Sequence, residues 1–224
     1  MSFESPVLAE QKVPRYTSYP TAPHFTGAVG ADTYAAWLAE LPSGGALSLY
    51  IHVPFCAQLC LYCGCHTKAV RRREPLDAYA ASLLQEIALL GRLTGRCTVS
   101  HLHWGGGTPS MLDANRLSEI VERLDSTFEL ASLREHAIEL DPRHIGRPVA
   151  RALARIGVNR ASLGVQDFSA HVQQAIGRIQ PYELVAAAVE TLREFGIDRI
   201  NFDLMYGLPR QTIRDIRRNV ALAV

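Results

Sequence analysis

Two kinds of stretch alternate along this chain. Short runs typical of β-strands occur at about residues 47–53, 99–104, 137–140, 161–165 and 199–204. Between and around them, apolar residues recur at helical spacing over about residues 32–41, 76–93, 113–127, 148–156, 181–195 and 211–224. Asp77 lies at the start of the second helix and Gly95 just after its end, as helix start and stop signals do. The pattern predicts consecutive strand–loop–helix units.

Strands that alternate with helices in this way predict a parallel sheet with right-handed crossovers. A partial or full β/α barrel and an open doubly wound sheet both fit, and in each the loops after the strand ends build the active site. The class we predict is α/β, with a partial parallel β/α barrel over residues 46–224. An N-terminal arm and helix precede it over residues 1–45.

The predicted pattern stops inside a helix at residues 219–224, and no closing strand follows. An uncovered sheet edge invites pairing with other chains. We therefore expect the sequence to be an N-terminal fragment of a longer polypeptide.

Composition narrows the possible partners. Of the 224 residues, 23 are Lys or Arg and 22 are Asp or Glu, so no strong net field attracts nucleic acid or an anionic membrane. No apolar run approaches the roughly 20 residues of a membrane span. Glu4 lies in an N-terminus without an apolar signal core. We expect a cytoplasmic monomer with neither a nucleic-acid nor a membrane partner.

The most informative motif is a C-x3-C-x2-C run, formed by Cys56, Cys60 and Cys63 just after the first predicted strand. Three thiolates on a short loop can bind three irons of a cubane cluster. The fourth iron can then chelate the amino and carboxylate groups of S-adenosylmethionine. A zinc site with Cys65 as fourth ligand is the alternative, but four ligands from ten residues are uncommon and no second distant cysteine pair exists. We predict an iron–sulfur cluster.

Several other residues are candidates with competing structural interpretations. The glycines of residues 105–107 form either a tight turn or a close approach to a ligand, and beside a cluster loop we favour the ligand. Glu139 could accept hydrogen bonds from ribose hydroxyls, whereas Asp141 before Pro142 is expected to cap the next helical segment. The arginines at 71–73 are expected to form a solvated face, and Cys97 to pack as a small apolar residue. His52, His66 and His103 are candidates by position alone.

The motifs together resemble those of the radical S-adenosylmethionine superfamily, and within it the oxygen-independent coproporphyrinogen III oxidase family. The resemblance is carried by YIHVPFC (50–56), CGCH (63–66), HLHWGGGTP (101–109) and NFDLMYGLP (201–209), and by PRYTSYPT (14–21) in the arm. It extends from about residue 14 to the end of the chain. It implies a barrel of the radical SAM type whose sixth strand and C-terminal domain are absent from this sequence.

The resemblance implies an anaerobic step of haem synthesis. A 5′-deoxyadenosyl radical would remove hydrogen from a propionate side chain, and loss of carbon dioxide at two propionates would convert coproporphyrinogen III to protoporphyrinogen IX. The implied partners are the tetrapyrrole substrate and a reduced flavodoxin- or ferredoxin-like electron donor. The implied cofactors are one [4Fe-4S] cluster and two molecules of S-adenosylmethionine.

The resemblance also assigns residues to each cofactor. Cys56, Cys60 and Cys63 would hold the cluster. Tyr50, Gly106 and Glu139 would contact the S-adenosylmethionine on the open iron, and Tyr50 would in addition be catalytic. The second molecule would be contacted by Tyr62, Gly107, Thr108, Gln166, Arg178 and Asp203. Cys65 is a family marker without a derived role.

Two alternatives within the same superfamily remain open. One is a haem-trafficking relative without oxidase activity, which typically has an acidic residue and Phe after the third cysteine, where this chain has Gly64, Cys65 and His66. The other is an inactive truncated relative. Because the expected second half would exclude water from the radical site, we predict that the 224-residue chain binds a cluster but turns over poorly.

Overall fold

The computed structural model describes residues 21–42 and 44–224, and the predicted arm at residues 1–20, with most of the PRYTSYPT motif, lies outside them. Chain contacts separate residues 1–40 from residues 41–224. The described part of the first unit holds a 3₁₀ turn at Ala22–His24 and helix α1 at Ala31–Ala39. The predicted domain boundary at residue 45 stays a prediction.

The second unit alternates strands and helices. Its described strands are β1 (Ala46–Val53), β2 (Phe55–Cys56), β3 (Lys68–Ala69), β4 (Thr98–Gly106), β5 (Glu135–Leu140), β6 (Arg160–Gln166) and β7 (Arg199–Leu204). Its described helices are α2 (Glu74–Thr94), α3 (Ala114–Thr127), α4 (Arg147–Arg155), α5 (Ala170–Ala175), α6 (Tyr182–Glu194) and α7 (Ile213–Ala223). Short 3₁₀ turns lie at Pro109–Met111 and Pro142–His144.

Five of the strands form one parallel sheet in the order β1-β4-β5-β6-β7. This order follows the sequence without a reversal, whereas a doubly wound sheet reverses its order at a switch point. Right-handed crossovers between successive strands place the helices on one face of such a sheet. The predicted α/β partial barrel is therefore confirmed, and the doubly wound alternative is wrong for the described strands.

The two faces of the sheet differ in polarity because strand side chains alternate. The helix-covered face is apolar and contains buried residues such as Ile51, Leu102, Trp104, Ile138 and Leu163. The opposite face, called the inner face below, is polar. It carries Tyr50 and His52 of β1, His103 of β4, Glu139 of β5, Ser162 of β6, and Asn201 and Asp203 of β7.

One histidine lies within the apolar face. His136 is 1% exposed, and its Nε2 accepts a hydrogen bond of 2.8 Å from Trp104 Nε1. Burial lowers the pKa of His136 to about 4, although the backbone carbonyls of Ile156 and Gly157 oppose that shift. His136 is thus held neutral as a hydrogen-bond acceptor in the core.

Local sequence explains where several helices begin and end. Asp113 caps α3 by accepting from the backbone of Asn115 and Arg116, and Gly95 ends α2 with a φ of 68°. Thr212 and Asp215 form a capping box at the start of α7. No described helix is long and apolar enough to cross a membrane.

Candidate functional site

Tyr50 and His103 lie side by side on the inner face where β1 and β4 end. The two residues are register partners, and their rings stack with centroids 5.8 Å apart at 18°. Tyr50 Oη also hydrogen-bonds to His52 Nδ1 at 3.0 Å, and His52 Nε2 donates to the backbone oxygen of His66 at 2.9 Å. Tyr50 as a whole residue is 57% exposed. It is held in place while one side remains open to a ligand.

Glu139 on β5 completes this group. Its Oε2 accepts from the backbone N–H of Gly106 at 3.2 Å, and its Oε1 lies 3.2 Å from His103 Nε2. A Cβ at Gly105 would lie 2.8 Å from Glu139 Oε1 and 2.9 Å from Tyr50 Cε2, so a larger residue there would have to displace these two side chains. The structure thus brings together Tyr50, Gly106 and Glu139, the three residues predicted for the first cofactor molecule.

The next two glycines bring the end of β4 against the cysteine loop. Gly106 has a φ of 103°, and a Cβ there would meet His52 Cε1 at 2.6 Å. A Cβ at Gly107 would lie 2.4 Å from the backbone oxygen of Phe55. Gly107 N donates to the oxygen of Val53 at 2.8 Å, and Thr108 N donates to the oxygen of Phe55 at 2.7 Å. The close packing of the end of β4 against the cysteine loop is therefore one reason why glycines occupy these positions.

The cysteine loop begins at the end of β1 and is closed at its base by the short parallel pair of β2 and β3. Cys56 Sγ is within 3.5 Å of two hydroxyl donors, Thr67 Oγ1 and Thr108 Oγ1. Cys60 Sγ accepts from Arg178 Nη1 at 3.2 Å. Among residues 21–42 and 44–224, no three side chains of His, Cys, Asp and Glu converge on one metal ion.

These donors fit thiolate ligands. A metal-bound cysteine sulfur carries negative charge and accepts hydrogen bonds, as hydroxyl and guanidinium groups here provide. Cys63 and Cys65 are exposed, and the backbone N–H of Cys63 closes a turn onto the oxygen of Cys60. The loop can therefore present three sulfurs to an iron–sulfur cluster.

The residues predicted for a second cofactor molecule lie toward β6 and β7, except Gly107 and Thr108. Gln166 ends β6 with a φ of 66°, a left-handed backbone conformation that is rare for residues other than glycine. Asp203 on β7 is the register partner of Gly164, and its carboxylate accepts the single hydroxyl proton of Ser162, whose Oγ lies 3.0 and 3.1 Å from the two oxygens. Arg178 lies beside Gly164.

Tyr62 joins the cysteine loop to this side of the site. It packs against the small apolar cluster that contains Val172, Ile176 and Leu208, and the neighbouring Leu61 N donates to the oxygen of Ile176 at 3.1 Å. Burial raises the pKa of Tyr62, although the charge of Arg178 opposes that shift. The cysteine loop is therefore tied to the sheet at both β4 and the segment after β6.

Partial desolvation also affects two groups of the inner face, although both residues keep exposed surface. It raises the pKa of the Tyr50 phenol, and the negative charge of Glu139 adds to that rise. It raises the pKa of Asp203 as well, where Ser162 opposes the shift and Glu139 reinforces it. Both effects show that Glu139 contributes negative potential across the inner face.

The remaining sequence candidates have structural roles. Asp141 caps the turn at Pro142–His144 by accepting from Arg143 N at 3.0 Å, as predicted, but it also forms buried ion pairs that were not predicted. Arg73 pairs with Asp113. Cys97 packs against the core as a small apolar residue, which confirms that prediction.

Sequence reasoning missed the side chains that surround the cysteine sulfurs. Thr67 and Arg143 were not singled out, although Thr67 donates to Cys56 and Arg143 lies beside Asp141. Hydroxyl groups next to a cysteine motif were the available signal for Thr67. Nothing in the local sequence distinguishes Arg143.

Comparison with known proteins relates this geometry to a family. A family model described as the Radical SAM superfamily matches residues 50–223. The chain is 49% identical over 219 residues to an oxygen-independent coproporphyrinogen III oxidase of Bradyrhizobium diazoefficiens, covering 96% of this chain and 49% of that protein. It is 45% identical over 214 residues to the Paracoccus denitrificans protein of the same name, covering 95% of this chain and 48% of that protein.

A solved structure agrees with these relatives. The coproporphyrinogen III oxidase of Escherichia coli, described as a radical SAM enzyme, superposes with a TM-score of 0.85 at 40% identity. The superposition covers 93% of this chain and 48% of that one. The chain thus spans about half the length of the relatives it matches. Since the family model covers most of the chain, from the end of β1 through the cysteine loop and the other four strands of the main sheet, the chain belongs to the radical SAM superfamily, whose members use a [4Fe-4S] cluster and S-adenosylmethionine.

Proposed function

We propose that this chain is the cofactor-binding part of an oxygen-independent coproporphyrinogen III oxidase. The reaction is the oxidative decarboxylation of two propionate side chains of coproporphyrinogen III to vinyl groups, which gives protoporphyrinogen IX in haem biosynthesis. The observation that carries the proposal is the 49% identity to a relative of that name across 96% of this chain. The tetrapyrrole is the proposed substrate partner.

The cluster and S-adenosylmethionine would supply a 5′-deoxyadenosyl radical that takes a hydrogen atom from the propionate. In this proposal Cys56, Cys60 and Cys63 hold the cluster. Glu139 binds hydroxyl groups of the first S-adenosylmethionine, and its orientation is supported by the N–H of Gly106. Tyr50, held by His52 and stacked on His103, is the proposed catalytic residue beside it.

A second S-adenosylmethionine is part of the same proposal. Its contacts would be Tyr62, Gly107, Thr108, Gln166, Arg178 and Asp203. The position of Gln166 and Asp203 at neighbouring strand ends supports a shared ligand, because strand ends of a parallel sheet meet along one edge. Equilibrium binding of S-adenosylmethionine to the reconstituted chain tests how many molecules bind. Two molecules per chain are expected, and saturation at one would contradict the proposed second molecule.

The proposal extends to partners and location. A reduced flavodoxin- or ferredoxin-like protein is the proposed electron donor, the cytoplasm is the proposed compartment, and the proposed state is a monomer. These statements come from the family resemblance and from the balanced composition of 23 basic and 22 acidic residues. Size-exclusion chromatography with light scattering tests the monomer directly.

The experiment that tests the reaction is anaerobic. The chain is reconstituted with iron and sulfide, reduced, and given S-adenosylmethionine with coproporphyrinogen III, and 5′-deoxyadenosine and vinyl product are quantified together. A Cys60→Ser variant is the negative control, and the full-length Escherichia coli relative is the positive control. Deoxyadenosine above the Cys60→Ser level is expected, with little vinyl product from the chain alone.

Each outcome has a defined meaning. Deoxyadenosine with vinyl product supports the whole proposal, and deoxyadenosine alone supports the radical site. A loaded cluster that yields neither compound contradicts the proposal. Stoichiometric haem binding without cleavage of S-adenosylmethionine would favour the haem-trafficking alternative instead.

A further inference from the structure

Asp141 lies buried between two arginines directly behind the cysteine loop. Its side chain is 7% exposed. Arg143 Nη2 donates to Asp141 Oδ2 at 2.6 Å, and Arg178 Nη2 lies 3.3 Å from Asp141 Oδ1. His144 Nδ1 is 3.7 Å from the same carboxylate but is 45% exposed. Despite burial, which opposes it, the hydrogen bonds from Arg143 and the charge of Arg178 lower the pKa of Asp141, so the carboxylate is ionised at neutral pH.

Arg178 is held on several sides by protein acceptors. Its Nε donates to the oxygen of Gly164 at 3.0 Å and to Gln180 Oε1 at 2.9 Å. Its Nη2 donates to the oxygen of Gly164 at 2.7 Å, and Nη1 points to Cys60 Sγ at 3.2 Å. The side chain is 8% exposed. A planar guanidinium with this many acceptors has one orientation, and that orientation aims a donor at the sulfur.

The charges of Asp141, Arg143 and Arg178 balance only when a thiolate at Cys60 is included. Arg143 and Arg178 bring two positive charges, and Asp141 brings one negative charge. A buried excess of positive charge is costly, because little water reaches it. A metal-bound thiolate at Cys60 supplies the missing negative charge.

Cys56 is the other cysteine of the motif whose sulfur accepts hydrogen bonds from described side chains, and its donors carry no charge. Cys56 Sγ faces two neutral hydroxyl groups, Thr67 Oγ1 and Thr108 Oγ1, each at 3.5 Å. The guanidinium contact at Cys60 is shorter, at 3.2 Å, and charged. The protein field is therefore more positive at the Cys60 sulfur than at the Cys56 sulfur.

We propose that Arg178 and Asp141 are positioning residues that set the reduction potential of the cluster through the Cys60 sulfur. Asp141 holds the guanidinium, and the guanidinium donates to the sulfur. Because a reduced cluster carries one more negative charge, a positive group at a ligand sulfur favours reduction and raises the potential. The inference rests on the cluster that superfamily membership implies. Its test measures the reduction potential of the cluster, so the inference does not depend on the proposed substrate.

Two variants of opposite charge change test the inference. Arg178→Gln removes a positive charge beside Cys60. Asp141→Asn removes a negative charge that contacts Arg178 on the side away from the Cys60 contact. Arg147→Gln is the matched control, since Arg147 pairs with Glu194 on the surface and is 63% exposed. Each reconstituted chain is titrated with a low-potential chemical reductant while the reduced cluster is followed by electron paramagnetic resonance, with iron and sulfide measured in parallel.

We expect the equilibrium constant for reduction to fall at least tenfold in Arg178→Gln, which is about 59 mV for one electron. It should rise at least threefold in Asp141→Asn and stay unchanged in Arg147→Gln. Arg178→Lys keeps the charge and should shift the potential less than Arg178→Gln.

An unchanged potential in Arg178→Gln, or shifts of the same sign in Arg178→Gln and Asp141→Asn, overturns the inference. If Arg178→Gln does not fold, Asp141→Asn carries the test, because Asn keeps the side-chain size and one acceptor oxygen. An unchanged or lowered potential in Asp141→Asn then overturns it. A wild-type chain that loads no cluster refutes the ligand role of Cys60 and this inference with it, whereas loading without oxidase activity affects only the proposed function.

Discussion

Gly107→Ala places a methyl group where the glycines of residues 105–107 contact the cysteine loop. The added Cβ would lie 2.4 Å from the backbone oxygen of Phe55 and 2.6 Å from Thr67 Oγ1. Reaching an ordinary contact distance of 3.4 Å requires the new Cβ and the oxygen of Phe55 to move apart by about 1 Å. That movement stretches the 2.8 Å bond from Gly107 N to the oxygen of Val53 and the 2.7 Å bond from Thr108 N to that of Phe55.

Overpacking of this kind costs about 1–3 kcal/mol of the free energy of unfolding. For a chain of this size, that loss lowers the melting temperature by about 2–12 °C. Thr67 and Thr108 also donate to Cys56 Sγ, so the same shift should reduce cluster loading. The measurements are thermal unfolding by circular dichroism and iron content after anaerobic reconstitution.

Gly27→Ala is the control, because a Cβ at Gly27 meets no atom within 4 Å. It should melt at the wild-type temperature and load iron normally. A Gly107→Ala chain with wild-type melting temperature and full iron content would refute the packing argument.

Three further predictions follow from other parts of the structure. Burial lowers the pKa of His136 from 6.5 to about 4, so the unfolded chain binds more protons between these values. The free energy of unfolding should therefore fall as pH drops below 6.5, by on the order of 3 kcal/mol in total. His136→Gln should lose that dependence in urea unfolding at pH 5 and 7.5, and an equal pH slope in both proteins would contradict it. Glu139→Gln should weaken S-adenosylmethionine binding by calorimetry about 10- to 100-fold, because hydrogen bonds to a charged group contribute about 1.5–3 kcal/mol. Exposed Glu190→Gln should bind normally, and equal affinities in both variants would remove Glu139 from the site. Thr212→Ala breaks the capping box of α7 and should cost about 1 kcal/mol in urea unfolding, so an unchanged midpoint would mean that the cap is not stabilising.

Long elements with clear periodicity were predictable from the sequence. The strand predicted at 199–204 is observed at Arg199–Leu204, and the helix predicted at 113–127 is observed at Ala114–Thr127. Helix α5, at Ala170–Ala175, was missed because six residues do not complete two helical turns. Strands β2 and β3 were missed because two residues carry no alternation.

The candidate site was predictable in composition but not in its supporting contacts. Glu139 was identified because it lies at a strand end, but its hydrogen bond from the backbone of Gly106 was not predicted. The ion pair between Asp141 and Arg178 joins residues far apart in sequence. No local pattern encodes such a pair, because it depends on how β5, β6 and the following loop pack together. Asp141 was therefore predicted only as a cap.

The alternating faces of the sheet separate two properties along each strand. On β5, Ile138 and Leu140 are buried in the core, whereas Glu139 between them faces the inner side. On β1, Ile51 and Val53 are buried, and Tyr50 and His52 face inward. Along each strand, successive positions therefore serve different purposes, one set packing and the other chemistry. A lineage could change what the inner face binds by substituting one set, while the set that holds the sheet together stays as it is.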